Sequence, residues 1–138
     1  LADVVTTQIL ENGARNLVLL FTNLSDGTGE TAVKKVDAQS TTYAGIAPGG
    51  GAGSVPGTHL SVWEILYDVK NMGLSMLWDA TSPQQFAYFG GFEDGRYWKA
   101  GGITVPSITG ATGSILFTTK GAVANSGYTV TMFLKKNV

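Results

Sequence analysis

From Tyr128 to Leu134 the chain alternates. Tyr128, Val130, Met132 and Leu134 fall on one side of an extended backbone, and Thr129, Thr131 and Phe133 fall on the other. Successive side chains of a strand point to opposite faces, so this pattern of β-branched and aromatic residues predicts a strand with one buried side. The same alternation recurs between Gly, Asn, Asp and Pro punctuation. It predicts strands at about 3–10, 15–23, 32–37, 59–69, 73–79, 85–89, 95–99, 113–119 and 127–135. No segment repeats its apolar residues at the ~3.6-residue spacing of a helix.

Individual strands carry more detail. Leu17, Leu19 and Phe21 share a face, and Val18 and Leu20 make the opposite face apolar too, which predicts a strand covered on both sides. The 59–69 strand puts Trp63, Ile65, Tyr67 and Val69 on one face and Leu60, Val62, Leu66, Glu64 and Asp68 on the other. At ~3.3 Å per residue it is about 33 Å long, enough to cross a whole sandwich. Lys70-Asn71-Met72-Gly73 reads as a hairpin turn, after which Leu74, Met76 and Trp78 oppose Ser75, Leu77 and Asp79. Ser25–Glu30, Gly90-Gly91 and Glu93-Asp94-Gly95 read as further turns. Residues 45–57 concentrate Gly and Pro and read as a long surface loop, or as an arm that orders against a neighbouring subunit. Many short strands with Gly-rich turns imply an all-β chain. The expectation is one domain over residues 1–138, an antiparallel β-sandwich of jelly-roll type whose strand order the sequence leaves open.

Composition changes this picture in one respect. The chain has 138 residues, 43% hydrophobic and 14% charged, against about 25% charged in an ordinary globular domain. So sparse a charge leaves the surface to Thr, Ser, Asn, Gln and Gly, or to another subunit, because charge depletion marks the cores of interfaces. A net charge of −1 with nine scattered basic residues predicts no nucleic-acid partner. The pairs Lys34-Lys35 and Lys135-Lys136 read as solvated strand ends. No apolar run approaches the ~20 residues of a bilayer span, and Leu1-Ala2-Asp3-Val4-Val5 does not look like a signal peptide.

Candidate chemistry is thin. The chain has no Cys and a single histidine, His59, so thiolate metal sites and disulfides are out, and any triad would have to use His59. Its place at the start of a strand reads as a polar strand end. Asp26-Gly27-Thr28-Gly29-Glu30 lacks the repeated ligands of a calcium loop and reads as a solvated turn. Glu64 beside Trp63 and Asp79 beside Trp78 are the strand acids nearest aromatics, the pair to weigh for glycoside hydrolysis. Neither a metal nor a cofactor is expected. Phe86, Tyr88, Phe89, Phe92, Tyr97 and Trp98, interleaved with Arg96 and Lys99, form an aromatic-dense stretch. It reads as core plus an interface anchor carried by Phe86, Tyr88, Phe92, Arg96, Tyr97 and Trp98, since Tyr, Trp and Arg are enriched at binding hot spots. Stacking of a sugar on Tyr97 or Trp98, near Gln84 and Gln85, is the alternative, and stacking of a base is opposed by Glu93 and Asp94.

Six segments, taken in order, carry a family likeness: Arg15-Asn16-Leu17-Val18, Asp26-Gly27-Thr28-Gly29-Glu30, Lys35-Val36-Asp37, Leu77-Trp78-Asp79-Ala80-Thr81, Phe89-Gly90-Gly91 and Thr112 to Thr119. Together they resemble small virion structural proteins of tailed bacteriophages, from about residue 3 to 135, with the 45–57 insert as a departure. The resemblance implies a particle component made in the host cytoplasm, without catalysis. Its nearest role is a head decoration (cement) subunit, bound to the major capsid protein or other virion proteins as a homo-oligomer such as a trimer. A carbohydrate- or receptor-binding module of a tail tip or fibre is the alternative, and a small hydrolase using Glu64 or Asp79 is a third reading.

Overall fold

The computed structural model describes residues 3–13, 16–37, 60–104 and 108–136. The 45–57 segment and His59 lie outside them. The described residues form nine strands: β1 (Val4–Asn12), β2 (Asn16–Asp26), β3 (Val33–Val36), β4 (Leu60–Lys70), β5 (Gly73–Trp78), β6 (Gln84–Phe89), β7 (Phe92–Thr104), β8 (Ile115–Lys120) and β9 (Ala124–Lys136). A five-stranded sheet of order β1-β2-β9-β4-β7 faces a four-stranded sheet of order β3-β8-β5-β6, and every pairing is antiparallel.

This order has a simple origin. β2 pairs with β9, β3 with β8, β4 with β7 and β5 with β6, so the two strand numbers of each pair add to eleven. From β2 to β9 the chain is one long antiparallel hairpin that turns back between β5 and β6. Rolling that hairpin up brings β9 beside β4 and β8 beside β5, and the product is a jelly roll. β1 adds to the free edge of β2.

The core is the inward face of β2 to β6, β8 and β9, while β1 is exposed throughout and β7 is buried only at Gly102. Leu17, Leu19 and Phe21 of β2, Val130, Met132 and Leu134 of β9, and Leu74, Met76 and Trp78 of β5 are buried, as their alternation requires. Phe117 sits at the centre, edge-on to Phe21 at 5.2 Å and to Tyr128 at 5.8 Å.

Three expectations change. β4 does not keep a strict period of two: a bulge between Val62 and Glu64 turns Val62 inward with Ile65 and Val69, and leaves Trp63 half-buried. Glu93-Asp94-Gly95 is not a turn but lies inside β7, in register with Val69, Asp68 and Tyr67 of β4. A side chain at Gly95 would meet the Tyr67 ring, with its hydroxyl 3.2 Å away, so the glycine accepts a cross-strand aromatic over its bare backbone. Finally, among the described residues β2 is fully covered on one side only. Val18 and Leu20 are half-buried on the outer face of the five-stranded sheet.

Candidate protein interface

The residues of the aromatic stretch part company in the fold. Phe86 packs on Trp78 at 4.8 Å between ring centroids, and the Tyr97 hydroxyl donates to the Phe86 carbonyl at 3.3 Å. With Phe89, whose ring stacks on Tyr67 at 3.9 Å, these side chains close the flank where edge strands β6 and β7 meet. Tyr88 is exposed on the outer face of the four-stranded sheet, laid over Gly73 and Gly90. Phe92, Arg96 and Trp98 emerge together on the outer face of the five-stranded sheet, with Phe92 74% and Trp98 55% exposed.

The registers place the outward residues of that sheet in rows, four of which span all five strands. Reading from β1 to β7, one row holds Val4, Leu24, Gly127, Lys70 and Phe92, and the next holds Thr6, Thr22, Thr129, Asp68 and Asp94. A third row holds Gln8, Leu20, Thr131, Leu66 and Arg96, and a fourth Glu11, Val18, Phe133, Glu64 and Trp98. Charge sits mainly along the β4–β7 side, where Arg96 pairs with Glu64 and lies over the Trp98 ring at 5.3 Å. The middle of the face is Leu, Val, Phe and Thr. Leu66, Leu24 and Val4 are 39%, 56% and 65% exposed. Contiguous apolar surface of this kind marks interaction sites.

Beside this face runs a groove of about 380 Å³ lined by Glu11, Val18, Trp63, Phe133 and Lys135. The Trp63 indole donates to the Ser61 hydroxyl at 3.0 Å, and the Lys135 ammonium lies over its ring at 4.3 Å. β7 makes room for Trp63 by bending at Gly101 and Gly102, both at φ +85°, where a side chain on Gly102 would come 3.0 Å from the indole nitrogen. A wider open groove, about 760 Å³, is lined by Thr81, Pro83, Gln84, Gln85 and Thr109 at the β5–β6 end. Gln84 and Gln85 thus belong to one groove and Trp98 to the outer face of the other sheet.

A second polar constellation is internal. Glu30 is buried, and its carboxylate meets the Lys35 ammonium at 2.6 Å, the Tyr128 hydroxyl at 2.6 Å and the Asn23 amide at 2.9 Å. The same Asn23 amide reaches Asp3 at 3.0 Å, and Asp3 also accepts from Ser25 and from the backbone of Gly29 and Asp26. Both Asn23 N–H groups are used by carboxylates, and its buried oxygen has no partner among the described residues. Burial, reinforced by the adjacent Glu30 carboxylate, pushes the Tyr128 phenol well above its usual value. Desolvation raises Asp3, but the hydrogen bonds from Asn23, Gly29, Ser25 and Asp26 outweigh it and hold its carboxyl low. The solvated readings of Lys35 and Glu30 are therefore corrected: both side chains are inside, because β3 turns Lys34 out and Lys35 in. The network ties the 25–35 segment to β9, and two of its members, Asn23 and Tyr128, also line a shallow groove of about 280 Å³ with Asp68 and Lys70.

The acids weighed for hydrolysis stay apart. Glu64 is on the outer face with Arg96, and Asp79 ends β5, accepting from Thr112 at 3.0 Å and facing Lys34 at 3.9 Å. Among the described residues no three His, Asp or Glu side chains cluster as metal ligands would.

No family model and no curated protein matches the chain. Among solved structures it is similar to a cupin superfamily protein from Desulfitobacterium hafniense, with 10% identity and a TM-score of 0.37 over 98% of this chain and 79% of that one. It is also similar to an RmlC-like cupin with a double-stranded β-helix fold from Methanocaldococcus jannaschii, with 7% identity and a TM-score of 0.35 over 99% and 83%. Likenesses this distant carry no argument about chemistry.

Proposed function

We propose that this chain is a non-catalytic assembly subunit of a tailed-phage particle, a decoration or cement protein that binds the major capsid protein and stabilises the head. The observation that carries the reading is the outer face of the five-stranded sheet, where Leu24 on β2 and Leu66, Phe92 and Trp98 among the charged residues of β4 and β7 are exposed on one side. A rigid sheet loses little conformational freedom on docking, and a subunit that binds only the assembled shell stabilises it by mass action. The virion context comes from the ordered segments that resemble phage structural proteins.

Co-sedimentation of the purified chain with stripped phage heads tests this. Trp98→Ala is expected to weaken shell binding by roughly 2 kcal/mol, about thirtyfold, with little change in melting temperature, as for an exposed hot-spot aromatic. Leu66→Asp is expected to abolish it. Wild-type binding left intact by both changes counts against the face. One observation favours a tail-tip or receptor-binding role as a second reading: the half-exposed Trp98 ring lies beside the Arg96–Glu64 pair, an apolar plane with donors and acceptors at its rim. A glycan array on which the wild type binds and Trp98→Ala does not would favour that reading.

A further inference from the structure

The free edge of β7 complements itself. From Phe92 to Trp98 each residue has one partner on β4, and the ladder is then interrupted by the bulge beyond Trp98. Gly95 is the middle residue of this straight stretch. On the outer face Phe92 and Asp94 precede it, and Arg96 and Trp98 follow it. The Asn71 amide donates to the Gly91 carbonyl at 2.9 Å, which makes Lys70 and Phe92 a pair that does not exchange hydrogen bonds. The N–H and C=O of Phe92 therefore point away from β4. By the period of two, so do those of Asp94, Arg96 and Trp98, which form an edge unpaired among the described residues.

The charges on this edge are not balanced within one copy. Asp94 stands directly opposite Asp68, and like charges so placed destabilise a sheet. Among the described residues neither acid has an ion-pair partner. Arg96 gives its Nε to Glu64, which leaves its terminal amino groups for another acceptor.

We propose that β7 pairs antiparallel with β7 of a second copy across a two-fold axis at Gly95. In this register Phe92 meets the partner's Trp98 and Asp94 meets the partner's Arg96. Each of these pairs occurs twice and exchanges main-chain hydrogen bonds, so the two five-stranded sheets become one. Sliding by two residues either way sets Arg96 against Arg96 or Asp94 against Asp94, so charge fixes the register. Charged edges commonly serve to repel other strands. Here the acid lies before the centre and the base after it, which is the arrangement that attracts an inverted copy. The contact is isologous and closes at two copies.

The pairing stands on the chemistry of the edge, and its test uses the isolated full chain, so it holds or fails separately from shell binding. Light scattering at tens of micromolar is expected to give twice the 14.4 kDa chain mass. Asp94→Arg should fold as well as the wild type, because Asp68 gains an opposite charge. It should also weaken self-association by about a hundredfold or more, since guanidinium groups then face each other across the axis. Phe92→Asp, at a 74% exposed position, should disrupt the dimer without touching the core. The double variant Asp94→Arg/Arg96→Asp should restore the dimer. A wild type that is monomeric or trimeric overturns the proposal, as does an Asp94→Arg variant that stays dimeric or a folded double variant that stays monomeric.

Discussion

At the scale of single residues, the buried Glu30 network decides most. A buried ion pair that loses one partner leaves an uncompensated charge, so Lys35→Met should cost about 3–5 kcal/mol, measured by urea denaturation. The network also sets the pH profile. Asp3 has a lowered folded pKa, so its contribution is present above the ordinary value of 3.8 and is lost as pH falls below it. Tyr128 has a raised folded pKa, so its contribution is complete below the ordinary value of 10.0 and is lost as pH rises past it. Melting temperature should therefore fall on both limbs. Asp3→Asn should flatten the acid limb and Tyr128→Phe the alkaline one. None of this was legible in the chain, because Glu30 and Tyr128 are 98 residues apart and a lone Glu in a turn reads as solvated.

At the scale of elements, the sequence was far more open to reading. Alternation located all nine strands, most of them because one face is buried, although β1 and nearly all of β7 bury neither face. It missed the places where the ladder adds a residue. The bulge at Trp63 reverses the upstream part of β4, and Gly95 looked like a turn because only the Tyr67 ring across the sheet explains a glycine there. Such irregularities depend on the neighbouring strand, which local sequence does not show. Gly127 gives a test at this scale. A Cβ there would sit 2.6 Å from the Asn23 carbonyl oxygen, a backbone atom that cannot swing aside. Gly127→Ala should therefore cost about 1–3 kcal/mol by forcing β2 and β9 apart, seen as a lowered urea midpoint.

At the scale of the whole molecule, the rolled hairpin explains why apolar residues of β2, β4 and β9 meet on the outer face of one sheet. Pairing β2 with β9 and β4 with β7 puts Val18, Leu20, Leu66 and Phe133 side by side from segments far apart in the chain. The apolar second face of β2 is visible in the sequence and reads as covered, but an apolar strand residue looks the same whether its cover is the same chain or another. The long-range pairing also predicts slow folding, with relaxation in milliseconds to seconds by stopped-flow fluorescence of the tryptophans. The central claim is that other virion proteins supply the missing cover, and the most direct measurement is the copy number of this chain in purified particles that carry its gene. Quantitative mass spectrometry should find it in many copies at a fixed ratio to the major capsid protein. Its absence from washed particles contradicts the account.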